Sequence, residues 1–107
     1  MERKILKASA GTGKTYRLAL EYAASLFDGE KIRDIVIMTF TKKAAAEIKS
    51  RIIDFLKELS EGNEDIAENI KNLYPEKFQN TDDIFKKSEK IYKEIILNRD
   101  SLKIFTI

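Results

Sequence analysis

The chain has 107 residues, 43% hydrophobic and 36% charged, with a formal net charge of +2; this fits one small globular domain with a modest core and excludes a disordered chain. With no cysteine and no histidine, disulfides, thiolate or imidazole metal sites and histidine acid–base catalysis are excluded, leaving Lys, Ser/Thr, carboxylates and backbone groups for any chemistry. No apolar run reaches the roughly 18–20 residues of a membrane span and the N-terminus lacks a secretory apolar core, so no membrane partner and a cytoplasmic location are expected.

Residues 4–6, with Ala8, read as a short strand running into a glycine-containing loop, and Gly13 to Phe27 as a helix. The apolar residues of that helix, from Leu18 through Tyr22 to Phe27, cover more than one face, so it should be largely buried. "DG" at 28–29 closes it with turn chemistry. "DIVIMTF" at 34–40 has strand length and composition without clean alternation, the pattern of a central parallel strand covered on both faces. Thr41 is the predicted N-cap of a helix over roughly 42–60, with Ala45, Ile48, Ile52, Leu56 and Leu59 at helical spacing and Gly62 as its stop. Ile66, Ile70 and Leu73 mark a shorter helix that ends before Pro75. A further helix is predicted over about 82–97, capped by Thr81 or Asp82, with Asp82 and Asp83 offsetting its dipole. "SLKIFTI" at 101–107 reads as a last strand. Exposed strand edges would favour self-association through residues 104–107 or 35–37.

Charge is uneven along this order. Residues 1–51 carry eleven Lys/Arg against six Asp/Glu, and residues 52–107 carry nine against twelve. A basic first half favours polyanions such as nucleotides and nucleic acid.

The chemistry concentrates in "ASAGTGKT" at 8–15. The phosphate-binding loop is written Gly, four residues, Gly-Lys-Ser/Thr, and here Ala8 takes the first slot. A small residue suffices there, where the chain bends off the strand. Gly11 and Gly13 permit the backbone angles that let successive N–H groups converge on a phosphate. The following helix turns its positive end toward the same point. Lys14 would reach the β- and γ-phosphates, and the Thr15 hydroxyl would bind Mg²⁺.

This loop, followed by "VIMTFTKKAAAEIKSRI" at 36–52, resembles the superfamily 1 DNA helicases of the UvrD/Rep type. The RecB/AddA-like branch of helicase-nucleases, which process double-strand DNA ends, is the nearer likeness. In that family the first stretch is motif I, the second fits the motif Ia pattern T-F-T-x-K/A-A-A-x-E-φ-x-x-R-φ (φ apolar), and alanine in the first loop slot is a typical variant. "KIFTI" at 103–107 is similar to the start of the next block, T-φ-H-S-F.

The resemblance implies an α/β fold of the P-loop NTPase, RecA-like kind, with a partial parallel sheet and flanking helices. It implies ATP and Mg²⁺ as cofactors: Ser9, Ala10, Gly11, Thr12 and Gly13 wrap the phosphates, Lys14 is catalytic, and Thr15 holds the metal. Tyr16 stands where many relatives place an Arg that serves the base or ribose. Thr39, Phe40, Thr41, Lys42 and Thr106 would contact single-stranded DNA, while Arg51 braces its own helix. The implied function is that of an ATP-dependent DNA helicase or exonuclease in double-strand-break repair and recombination. The remaining helicase domains of the same chain, and other helicase-nuclease subunits, are the implied partners. The apolar run at the last residue and the missing block beyond it lead us to expect that residues 1–107 are the N-terminal part of one ATP-binding domain. A small stand-alone P-loop NTPase or kinase, and a catalytically inactive nucleotide- or DNA-binding module, stay open on the residues alone.

Overall fold

Parallel strands cannot be joined by a tight turn and need crossovers of a dozen residues or more. A computed structural model, which describes residues 4–7 and 12–106, shows helices in both crossovers. The order is β1 (Lys4–Lys7), α1 (Thr12–Phe27), a 3-10 turn (Ile32–Asp34), β2 (Ile35–Thr39), α2 (Lys42–Ser60), α3 (Glu64–Leu73), α4 (Thr81–Leu97), a second 3-10 turn (Arg99–Ser101) and β3 (Lys103–Thr106). The sheet runs β1-β2-β3, all parallel. This is the expected mixed α/β arrangement of partial parallel sheet and flanking helices.

The helix boundaries follow local chemistry. The Thr41 hydroxyl accepts the Ala44 N–H at 3.0 Å, and Asn63 Oδ1 accepts the Ile66 N–H at 3.2 Å. The cap of α4 is Asn80, not Thr81 or Asp82. Asn80 has extended backbone and its Oδ1 accepts the Asp83 N–H at 3.2 Å, whereas Thr81 is already the first helical residue. Asp82 and Asp83 occupy the first turn, where their charge complements the helix dipole.

α1 and α2 end in the same way. Glu30 N–H reaches Ser25 O and Gly29 N–H reaches Leu26 O; Asn63 N–H reaches Glu58 O and Gly62 N–H reaches Leu59 O. These are paired Schellman bonds, and they put Gly29 at φ 101° and Gly62 at φ 91°. A methyl group added at Gly62 would meet nothing within 4 Å, so only backbone strain opposes it. Gly62→Ala is expected to lower the unfolding free energy by about 1 kcal/mol, read as a shift in urea midpoint at unchanged slope.

The core lies between the sheet and the helices. α1 packs against α2, α3, α4 and β1, while α2 reaches β2 and β3. Enclosed on several sides, α1 buries Leu18, Ala19, Tyr22, Ala23, Ala24 and Phe27, as its apolar residues predict. The Tyr22 hydroxyl is buried without a hydrogen-bond partner among the described residues, and burial holds that phenol far above its ordinary pKa. Ile37, Ile48, Ile52, Ile70, Ile84 and Ile95 are fully buried, each contributing about 1.5–3 kcal/mol through removal from water.

Two expectations about the sheet need correction. β2 is central, but it is not covered equally on both faces. Ile35, Ile37 and Thr39 are buried against the helical layer, while Val36 and Met38 on the opposite face are only half-buried. The register sets Ile5 and Phe105 beside them, at 56% and 52% exposed. Phe105 therefore lies on the uncovered face. Residues 35–37 also cannot serve as an associating edge, because β2 is paired on both sides; the free edges belong to β1 and β3.

Candidate phosphate-binding and nucleic-acid site

In a parallel sheet every strand delivers its carboxyl end to the same rim, and ligands of open α/β sheets bind there. β1 exits at Lys7, β2 at Thr39 and β3 at Thr106, with Lys7 in register with Met38 and Thr39 with Thr106. Four residues after β1, α1 begins at Thr12, so its N-terminus opens on this rim. The first turn of α1 contains no acidic residue. The positive end of a sixteen-residue helix is thus left uncompensated by its own side chains, the electrostatic condition that a bound polyphosphate satisfies.

Ser9, Ala10 and Gly11, together with Ala8, lie outside the described residues, as do the side chains of Thr12 and Lys14. The backbone of Thr12, Gly13 and Lys14 forms the opening of α1. Thr15, in the same turn, is 8% exposed. Donors of this set, a lysine, a threonine hydroxyl and backbone N–H groups, fit a nucleotide's phosphates and a hard divalent cation. Among the described residues no group of three His, Cys, Asp or Glu side chains is placed to hold a metal ion.

Tyr16 is turned toward its own fold. Its hydroxyl accepts the Asn69 Nδ2–H at 3.3 Å, and its ring meets Phe55 edge-on at 5.2 Å and 81°. It ties the first turn of α1 to α2 and α3. Sequence reasoning missed these two partners, and no local pattern could have found them, since Asn69 is 53 residues from Tyr16.

The second stretch divides into a buried support and an exposed rim. Thr39 is fully buried, and its hydroxyl donates to the Thr41 carbonyl at 3.0 Å. It fixes the bend between β2 and α2. Phe40 is 56% exposed at the bend, and Thr41, Lys42 and Thr106 are exposed around it. The Thr41 hydroxyl is engaged as the acceptor that caps α2. Arg51 lies along α2 with Nη2 at 3.6 Å from Glu47, in keeping with the bracing role that the resemblance implies.

A parallel sheet whose first strand passes through a glycine loop into a buried helix is the arrangement of a P-loop nucleotide-binding domain. The profile of the UvrD/REP helicase N-terminal domain matches residues 2–106, and the chain belongs to that family. It is 44% identical over 55 residues to the RecBCD enzyme subunit RecB of Chlamydia muridarum, a match that covers 50% of this chain and 5% of the relative. It is 38% identical over 64 residues to the exonuclease/helicase subunit RexA of Lactococcus lactis subsp. cremoris, covering 60% of this chain and 5% of the relative. It is 40% identical over 48 residues to an ATP-dependent helicase/nuclease subunit of Lactobacillus acidophilus, covering 45% of this chain and 4% of the relative. The matched stretch thus spans about a twentieth of these curated relatives. No solved structure matches the chain at a significant level.

Proposed function

We propose that this chain is the N-terminal part of the ATP-binding domain of an ATP-dependent DNA helicase or helicase-nuclease of the RecB/AddA kind. The whole protein would work in the cytoplasm on DNA double-strand ends during repair and recombination. Remaining helicase domains of the same chain, and other helicase-nuclease subunits, would be its partners. The match of the helicase N-terminal domain across residues 2–106 carries this proposal. Both the loop at 8–15 and the segment at 39–52 fall inside that match.

Bound MgATP supplies the phosphoryl transfer whose free energy drives movement. Residues of this chain would do the rest. The N–H groups from Ser9 to Gly13 and the opening of α1 would hold the phosphates. Lys14 would neutralise the charge of the terminal phosphates, and the Thr15 hydroxyl would hold the metal. Phe40 offers an exposed ring on which a base of single-stranded DNA stacks, with Lys42, Thr41 and Thr106 beside it for phosphate contacts. Thr39 acts indirectly, by holding the bend that presents Phe40.

The test is ATP hydrolysis by the protein that carries this domain. Single-stranded DNA should stimulate it, and Phe40→Ala should raise the DNA concentration for half-stimulation by about tenfold, the loss of one stacking contact of about 1–3 kcal/mol. Hydrolysis indifferent to DNA would overturn the helicase assignment and favour a nucleotide-binding protein with another substrate.

A further inference from the structure

A concavity lies at the end of the sheet opposite the phosphate-binding rim. It is a cleft of about 560 Å³ between the loop that precedes β2 and one face of α4. Lys31 and Arg33 stand on the loop side. Lys87, Lys90, Ile91 and Glu94 line the helix side, at the spacing that puts residues on one helical face. The end of β2 at Thr39 is separated from this cleft by five residues of strand, roughly 15 Å at about 3.3 Å per residue. The cleft is therefore distinct from the phosphate-binding rim.

Its electrostatics are unbalanced. Among the described residues six ion pairs are formed, and none involves Lys31, Arg33, Lys87 or Lys90, although all four are exposed. Glu30 and Glu94 are the acids in the lining. Of the acids adjacent to it in sequence, Asp28 pairs with Lys77 at 2.7 Å, Glu89 with Lys93 at 3.1 Å and Asp100 with Lys49 at 3.9 Å, while Asp34 forms no ion pair among the described residues. The positions of the cations are fixed in part by the fold: Lys87 Nζ lies 3.5 Å from the Phe27 carbonyl, and Lys103 Nζ donates to the Arg33 carbonyl at 3.0 Å. The first of these contacts meets the negative end of α1, whose last turn has no basic residue of its own.

Beneath the cations the lining is apolar. Leu26 and Ile91 are almost fully buried and Ile32 is half-buried. Phe27, the aromatic residue of the lining, is 1% exposed. A nucleic-acid strand held in such a cleft needs an open aromatic face for its bases, and the described lining offers none. An apolar side chain flanked by carboxylates matches both the floor and the rim.

We propose that this cleft binds an acidic peptide segment carrying an apolar anchor residue, whose side chain sits on Leu26, Ile32 and Ile91 while its carboxylates pair with Lys31, Arg33, Lys87 and Lys90. The site does not depend on the helicase assignment. The probe is a fluorescein-labelled peptide of repeating Glu-Glu-Leu, titrated with the chain and followed by fluorescence anisotropy. Binding is expected to weaken as salt rises and to weaken about tenfold or more in Lys87→Glu/Lys90→Glu, through like-charge repulsion. Lys87→Gln/Lys90→Gln should show an intermediate loss, with circular dichroism reporting the fold of both variants. A peptide of glutamate alone should bind more weakly than the Leu-containing one. Absence of binding, equal binding by the two peptides, or binding unchanged in a folded variant would overturn the proposal. Displacement of the peptide by an equal concentration of oligothymidylate would likewise overturn it, in favour of a general polyanion site.

Discussion

Lys14→Ala, made in the whole protein that carries this domain, is expected to abolish ATP-driven DNA unwinding while leaving DNA binding largely intact. Lys14 is the only lysine in the loop stretch 8–15, and its backbone lies in the first turn of α1, on the rim where the strands end. Charge moves among the phosphate oxygens during transfer, so a fixed cation there acts more strongly on the transition state than on the bound nucleotide. Removing one such electrostatic partner typically lowers turnover by about a hundred- to a thousandfold. The proposed DNA contacts at Phe40, Thr41, Lys42 and Thr106 belong to other elements, so affinity for single-stranded DNA should survive. Unwinding assays and filter binding on the same preparation separate the two properties. Near-normal unwinding by the variant would falsify the assignment of residues 8–15 as the ATP-binding loop.

The chain of 107 residues by itself is expected to show weak or undetectable ATP binding, no measurable hydrolysis and no stimulation by single-stranded DNA. Hydrolysis in P-loop enzymes uses a metal held from two sides, by the loop hydroxyl and by an acid at a strand end, together with a group that positions water and often an opposing arginine. Thr15 can serve the first role. Among the described residues no strand ends in paired acids: after β2 the chain reads Phe40-Thr41-Lys42, and β3 closes on Phe105-Thr106. Loss of an arginine finger alone lowers the rate by about a thousandfold or more. A phosphate-release assay on the purified chain, with Lys14→Ala as the control for contaminating ATPase, decides the matter. DNA-stimulated turnover that disappears in the control would show a complete small enzyme.

Much of this molecule was legible in the residues because short-range physics sets it. Thr41 and Gly62 bound α2 through an N-cap hydroxyl and a left-handed stop, both local effects that three or four neighbouring residues dictate. The many-sided apolar surface of α1 foretold a helix enclosed by others. The loop at 8–15 pointed to phosphate chemistry because backbone convergence and a fixed charge need particular residue types at fixed spacing, whereas DNA contact at 39–52 was implied by the family resemblance alone.

Other features depend on which elements meet, and spacing along one strand or helix does not contain that. The apolar run at 34–40 gives a strand, but whether Val36 and Met38 are covered depends on what packs on their face of the sheet. Thr39 looked like a DNA contact beside Phe40, yet the pleat turns the two to opposite environments, one buried and one exposed. Tyr16 found its partners on α2 and α3, and the basic cleft arises only where α4 is laid beside the loop before β2. Residue order alone was enough for the helices, the Thr41 cap, the glycine stops of α1 and α2 and the strand propensities, because each rests on contacts within a few residues. The one-sided burial of the sheet, the inward turn of Thr39 and the pairing of distant side chains came only with folding, because packing free energy depends on surfaces that the chain brings together in three dimensions.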